Sequence, residues 1–138
     1  MIILDTNVLS ALMRRVPDPK VVAWLDRQPQ TSVWTTSITV LEVRFGLQLM
    51  PDGRKKLALT GGFSAVLQAI DHRIASFDGP AAERAGDLMA ARQKRGRPVE
   101  LRDTMIAGIV MAQHATLATR NTLHFEGVGI SLINPWDV

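Results

Sequence analysis

The chain has 138 residues, of which 46% are hydrophobic and none is a cysteine, and its formal net charge at pH 7 is +3. This length predicts one domain, residues 1–138, with enough apolar material for a sizeable core. The missing cysteines exclude disulfides, thiolate zinc sites and cysteine nucleophiles, and the basic balance is compatible with a polyanionic partner. The amino terminus does not resemble a signal peptide, and no apolar run reaches the roughly 18 residues of a membrane span, so we expect a cytoplasmic protein without a membrane partner.

The first dozen residues predict a strand, a polar tip and a helix. Residues 1–4 form an apolar run typical of a strand buried on both faces. Asp5, Thr6 and Asn7 end this run, and apolar residues then recur at helical spacing between positions 8 and 13. Asp5 is therefore predicted at the carboxyl end of the first strand, which is the edge where open α/β sheets bind ligands. Alternatively, Asp5 or Thr6 only caps the helix, and the two roles can coexist.

The rest of the chain alternates between predicted strands and helices. The further predicted helices cover 19–25, 37–50, a looser stretch to Ala69 that Gly61 and Gly62 weaken, 81–94 and 102–114. The further predicted strands cover 31–36, 73–77, 115–118 and 129–133, with a polar tip over 119–124. This alternation predicts an α/β fold, a three-layer sandwich whose largely parallel central sheet is flanked by helices.

A second acid, Glu42, lies near the start of the predicted helix 37–50. It shares an apolar face with Ile38, Phe45 and Leu49 at helical spacing. Glutamate is rarely buried unless it is paired, so this position indicates a function. The alternative is a capping box that Glu42 forms with Thr39.

A third acid, Asp103, shares a face of the predicted helix 102–114 with Ile106 and Val110, and its ordinary explanation is a helix cap. The three acids also have a joint explanation. Clustered carboxylates repel by about 4 kcal/mol per pair at about 4 Å and an effective dielectric near 20, and a cation offsets this repulsion. Oxygen ligands without cysteine or paired histidines select Mg²⁺ or Mn²⁺.

Five segments, in chain order and over the full length, carry a resemblance to a known family. They are Ile3-Leu4-Asp5-Thr6-Asn7-Val8-Leu9, Thr39-x-x-Glu42-x-x-x-Gly46, Asp103-x-x-Ile106-Ala107, Leu117-Ala118-Thr119-Arg120-Asn121-Thr122-x-x-Phe125 and Asn134-Pro135-Trp136. With these segments the chain resembles the PIN-domain ribonucleases of the VapC toxin type, close to the FitB-like branch.

The resemblance implies a PIN fold and cleavage of single-stranded or looped RNA with Mg²⁺ or Mn²⁺. Asp5, Glu42 and Asp103 would be the catalytic, metal-binding acids, and Thr6 and Thr119 would support the site through hydroxyl hydrogen bonds. The resemblance further implies a homodimer and a cognate VapB-like antitoxin, whose carboxyl-terminal segment wraps the toxin and blocks the site. DNA would be contacted only indirectly, through the antitoxin.

The chain departs from this family at one place. Relatives often have a fourth acid at the position of Asn121 or of His124. Asn121 could supply an amide oxygen or hold a metal-bound water, so we keep it as a supporting residue. His124 could ligate a metal, and its alternative is an exposed or hydrogen-bonded side chain. A second metal ion would therefore have fewer carboxylate ligands.

The chemistry follows from the acids and from the basic residues near them. A metal held by Asp5 and Asp103 would polarise a phosphate and lower the pKa of a bound water, while Glu42 ligates a second ion or acts as a general base. In-line attack would leave a 5′-phosphate and a 3′-hydroxyl. Arg120 and Arg102 are the predicted substrate-binding residues.

Other basic and aromatic residues have ordinary alternatives. The basic run over 92–97 could hold RNA, or it could be a solvated face. Trp136 could stack on a base, whereas the other two tryptophans lie in apolar segments and are expected in the core.

Two other functions stay open at this point. A receiver-like phospho-acceptor domain also has an aspartate at a strand end, although this chain lacks a paired acidic dipeptide near its first strand and a lysine after its last. A catalytically degenerate PIN domain would bind RNA or a partner without cutting.

Overall fold

The computed structural model describes residues 1–98 and 100–138 and contains one five-stranded sheet. The strands are β1 (Ile2–Leu4), β2 (Val33–Thr36), β3 (Ile74–Ala75), β4 (Thr116–Ala118) and β5 (Ser131–Ile133). They are all parallel and follow the spatial order β3-β2-β1-β4-β5. The predicted α/β fold with a parallel central sheet is confirmed.

Helices connect these strands. They are α1 (Thr6–Met13), α2 (Pro19–Asp26), α3 (Ser37–Leu49), α4 (Arg54–Ala69), α5 (Gly79–Lys94) and α6 (Leu101–Gln113). The predicted strand over 31–36 begins later, at Val33, because Gln30–Ser32 forms a 3₁₀ turn, and a second such turn, Thr122–Phe125, occupies part of the predicted polar tip. Within the described residues, no helix combines the length and the hydropathy needed to cross a membrane.

The two faces of the sheet are covered by different helices. Ile3 belongs to a core cluster with Leu88 of α5 and Ile109 of α6. The next residue, Leu4, belongs to a separate cluster with Val8 of α1 and residues of α2. Successive strand residues point to opposite faces, so both sides of β1 are buried and the fold has the three predicted layers.

The strand order places a crevice between β1 and β4. The chain adds β2 and β3 on one side of β1 and then crosses to β4 and β5 on the other side. Ligands of open α/β sheets bind at such a switch point, outside the carboxyl ends of the strands. Asp5 follows β1 there and donates its backbone N–H to the carbonyl of Ala118 at 2.9 Å.

Helix α3 turns a different face to the core than the sequence predicted. Its buried apolar residues include Ile38, Val43 and Leu47, whereas Phe45 is 57% and Leu49 is 70% exposed. The predicted buried face through Phe45 and Leu49 is therefore wrong. This helix carries apolar residues on two faces, and packing against α1 and α4 selects the one that is buried.

Helix α4 is continuous through the two glycines that were expected to weaken it. A Cβ on Gly62 would lie 1.9 Å from the carbonyl oxygen of Met13, whereas a Cβ on Gly61 would meet nothing within 4 Å. Gly62 is therefore required for the close approach of α4 to the end of α1, and packing compensates for its low helix propensity.

This contrast makes the two glycines a matched pair for a stability measurement. We expect Gly62→Ala to lower the free energy of unfolding by about 1–3 kcal/mol or more, because the added methyl group collides with backbone. Gly61→Ala should raise it by up to about 1 kcal/mol through helix propensity. Urea denaturation of both variants measures the difference, and equal effects would contradict the close approach.

Candidate functional site

Asp5 lies at the switch point as a buried carboxylate, with 4% of its surface exposed. It accepts hydrogen bonds from the Thr6 backbone N–H at 2.8 Å, the Thr119 hydroxyl at 2.7 Å and the Asn7 side-chain amide at 3.3 Å. The first bond caps α1, so the cap that the sequence allowed is present. The other two bonds come from groups around the crevice, so Asp5 is more than a helix cap.

Burial raises the pKa of the Asp5 carboxyl above its ordinary value. The hydrogen bonds from Thr119 and Thr6 oppose this rise, and the nearby Asp103 carboxylate adds to it. In the described part of the chain, no basic side chain lies within 4.0 Å of the Asp5 carboxylate. The charge of Asp5 is thus stabilised by dipoles alone.

Asp103 lies in the first turn of α6 but does not cap it. The side chain of Glu100 accepts the Asp103 backbone N–H at 3.0 Å and is the cap, so the alternative that Asp103 is only a helix cap is wrong. The Asp103 carboxylate instead lies 3.4 Å from Nδ1 of the exposed His124. Burial raises the pKa of Asp103, and the carboxylates of Glu100 and Glu42 add to the rise.

Glu42 reaches the same site from α3. The hydroxyl of Thr36 accepts the backbone N–H of Thr39 and caps α3, so the capping box between Thr39 and Glu42 does not form. One carboxylate oxygen of Glu42 accepts the Thr6 hydroxyl at 2.8 Å, and the other lies 3.8 Å from a guanidinium nitrogen of Arg102. Glu42 is thus held between the Thr6 hydroxyl and the Arg102 guanidinium.

The two arginines predicted to bind substrate have different surroundings. Arg102 pairs with Glu100 at 3.2 Å as well as with Glu42, so its guanidinium is already engaged by acids. Arg120 follows β4, donates its backbone N–H to the Asn7 side-chain oxygen at 2.9 Å, and extends an exposed side chain.

Asn121 and His124, the two positions where relatives often have a fourth acid, are both exposed. Asn121 donates its backbone N–H to the Thr119 hydroxyl at 3.1 Å, and His124 faces Asp103. Part of the basic run lies beside them, because Arg92 and Arg97 line one surface depression together with Asp103 and His124.

Sequence reasoning missed two residues that organise the site. Asn7 bridges Asp5 and the backbone of Arg120, and its position in the polar tip after the first strand was the available signal. Glu100 caps α6 and pairs with Arg102. It gave little signal, because glutamate is not among the preferred residues at the N-cap position of a helix.

The donor set has the chemistry of a site for a hard divalent cation. The carboxylates of Asp5, Glu42 and Asp103 offer only oxygen atoms, and their mutual repulsion favours a bound cation. In their present positions, no three acid, histidine or cysteine side chains of the described residues stand close enough to hold one ion. Asp5, Asp103 and Glu42 are the residues that fit Mg²⁺ or Mn²⁺ by ligand type.

The sequence profile of the PIN domain matches residues 2–129, so the chain belongs to the PIN-domain family. It is 39% identical over 138 residues to a VapC ribonuclease of Sinorhizobium fredii, with 99% of both chains covered. It is 35% identical over 137 residues to Toxin FitB of Neisseria gonorrhoeae, again with 99% of both chains covered. A solved structure of FitAB bound to an IR36 DNA fragment superposes with a TM-score of 0.88 at 34% identity, covering 100% of this chain and 97% of the other.

Family membership confirms the resemblance drawn from the motifs. It also contradicts the receiver-like alternative, since a PIN domain is a different family. The roles of the individual acids, and the choice between a cutting and a degenerate PIN domain, stay predictions.

The raised pKa of Asp5 predicts how stability depends on pH in the metal-free protein. A carboxyl with a raised folded-state pKa binds its proton more tightly when folded, so its contribution to stability is present below the ordinary pKa of about 3.9. That contribution is lost as the pH rises through the raised value. Asp5→Asn removes this loss, and we expect the variant in EDTA to exceed the parent by about 1 kcal/mol at pH 8 but not at pH 4.

Thermal or urea unfolding at several pH values measures this difference. Asp26→Asn is the matched control, because Asp26 is exposed at the end of α2, and it should follow the pH dependence of the parent. An Asp5→Asn profile parallel to that of the parent would show that the Asp5 carboxylate is not destabilised by burial.

Proposed function

We propose that this chain is a metal-dependent endoribonuclease, the toxin of a VapBC-type toxin–antitoxin pair, which hydrolyses RNA phosphodiester bonds with Mg²⁺ or Mn²⁺. The observation that carries the proposal is the group of acids Asp5, Glu42 and Asp103, which three separate elements bring to the switch point of a PIN fold. The names of the VapC ribonuclease and Toxin FitB relatives support it. We further propose that residues 1–138 form a single PIN domain.

Each acid has a role in this proposal. Asp5 and Asp103 hold the divalent cation, which when bound supplies positive charge at the scissile phosphate and makes a nearby water more acidic. Glu42 accepts the proton of the attacking water at its carboxylate, or ligates a second ion. Water attacks phosphorus in line with the departing 3′ oxygen, which takes a proton from solvent as its bond to phosphorus breaks. The products carry a 5′-phosphate and a 3′-hydroxyl.

The surrounding polar residues set the geometry. The hydroxyls of Thr6 and Thr119 orient Glu42 and Asp5 through the hydrogen bonds described above, and Asn121 supports the same edge. Arg102 neutralises Glu42 while no cation is bound and becomes available for the RNA phosphate when one is. This exchange explains how Glu42 stays charged in the metal-free chain.

Protein partners complete the proposal. We propose that the chain forms a homodimer and binds a cognate VapB-like antitoxin, through which DNA is contacted indirectly. An exposed apolar stripe on α3, formed by Leu41, Phe45 and Leu49, supports a protein partner on the helix that carries Glu42. The FitAB structure with its DNA fragment supports the link to DNA.

Cleavage of RNA tests the proposal directly. The purified chain should cut a labelled structured RNA with Mg²⁺ or Mn²⁺ and should stop when EDTA is added. Glu42→Gln should slow cleavage by about 100-fold or more, the usual contribution of a general base.

Glu83→Gln is the control for this variant, because Glu83 is exposed on α5 and makes no ion pair with the described residues. It should cut at the rate of the parent. Undiminished cleavage in EDTA would contradict the metal mechanism. A folded parent chain that binds RNA but leaves it intact with either metal would instead support the degenerate PIN domain.

A further inference from the structure

The side chain of Arg120 is stacked on an aromatic ring beside the acid group. Its guanidinium carbon lies 4.6 Å from the centroid of the Trp136 ring, within the range of a cation–π interaction. Trp136 follows β5 and Arg120 follows β4, so two neighbouring strand ends supply the pair. Such stacking occupies the face of the guanidinium and leaves the N–H groups on its edge free to donate.

The Trp136 ring is itself fixed on two sides. Its indole N–H donates to the carboxylate of Asp18, the cap of α2, at 3.0 Å, and its backbone N–H donates to the side-chain oxygen of Asn134 at 2.9 Å. One part of the ring packs against the core cluster under α1 and α2. The hydrogen bond from Trp136 also lowers the pKa of Asp18 below its ordinary value, and a carboxylate is charged at neutral pH. A charged acceptor on the indole N–H strengthens the attraction of the ring for a cation.

The guanidinium N–H groups of Arg120 have no acceptor among the described residues. Among residues 1–98 and 100–138, no acid or carbonyl pairs with its guanidinium, whereas Arg102 pairs with both Glu100 and Glu42. The backbone of Arg120 is anchored through Asn7, which also contacts Asp5. A preorganised guanidinium with free edge donors, next to a candidate phosphodiester site, is suited to bind a phosphate with two parallel hydrogen bonds.

We propose that Trp136, fixed by Asp18, is a positioning residue that holds Arg120 to bind one phosphate of single-stranded RNA next to the bond that is cut. This inference rests on the proposed function for its choice of ligand. Arg120 touches the substrate, whereas Trp136 acts only through Arg120.

A double-mutant cycle on RNA binding tests this division of roles. The probe is a short fluorescein-labelled single-stranded RNA, and its anisotropy is measured in EDTA, where no cutting is expected. Arg120→Ala should weaken binding about tenfold and should reduce the slope of log K against log salt by about 0.7, the loss of one single-strand phosphate contact. Trp136→Leu should weaken binding about two- to fivefold in the parent, from the strength of a cation–π contact. In the Arg120→Ala background, Trp136→Leu should have no further effect on RNA affinity.

Two further variants separate positioning from a general loss of structure. Trp136→Phe keeps an aromatic face for the guanidinium, and it should bind RNA more nearly as the parent does. Arg27→Ala removes one exposed positive charge at the end of α2, outside the contacts of Arg120 and Trp136, and it should leave affinity and salt slope unchanged.

The outcomes distinguish this inference from the proposed function. Equal losses from Trp136→Leu in both backgrounds, or an Arg120→Ala variant with the affinity and salt slope of the parent, would overturn the inference even if the chain cuts RNA. The predicted cycle supports the inference whether or not cleavage is observed, because binding is measured without metal.

Discussion

The Asp5 carboxylate is buried at a sheet edge beside a second carboxylate, Asp103, and it has only neutral hydrogen-bond donors around it. Burying a charge is expensive unless it is paired or well hydrogen-bonded, and here the pKa is raised because the compensation is incomplete. The surrounding contacts reduce this penalty without removing it. Thr119 and Asn7 donate to the charge, and a bound divalent cation would complete the compensation. The buried charge of Asp5 therefore destabilises the metal-free chain, and a bound divalent cation would relieve this destabilisation.

The same logic explains the arrangement of the other charges. Glu42 is less buried than Asp5, and the guanidinium of Arg102 lies close to its carboxylate. Arg102 also pairs with Glu100. In the metal-free chain Arg102 is therefore engaged by acids, whereas the guanidinium of Arg120 is stacked on Trp136. Two arginines that look equivalent in the sequence have different surroundings because one follows a strand and the other precedes Asp103 in the first turn of a helix.

The sequence predicted the parts of this structure that depend on local patterns. A polar tip after an apolar strand placed Asp5 at the sheet edge, and the order of the motifs identified the family. The buried face of α3 could not be predicted, because its apolar residues lie on two faces and only packing against α1 and α4 determines which face is buried. The close approach at Gly62 likewise depends on a tertiary contact that leaves no periodic signal, whereas the cap of α6 by Glu100 is a local bond from a residue type that is not typical of that position.

Calorimetric titration of Mn²⁺ into the metal-free chain, without RNA, tests most directly whether the buried acids form a cation site. We expect one tightly bound ion in the parent, because the family resemblance implies a fourth acid at position 121 or 124 and this chain has Asn121 and His124 there. Asp103→Asn should lose this binding, and the exposed control Asp26→Asn should retain it. Absence of binding in a folded parent, or equal affinity in Asp103→Asn, would contradict the account.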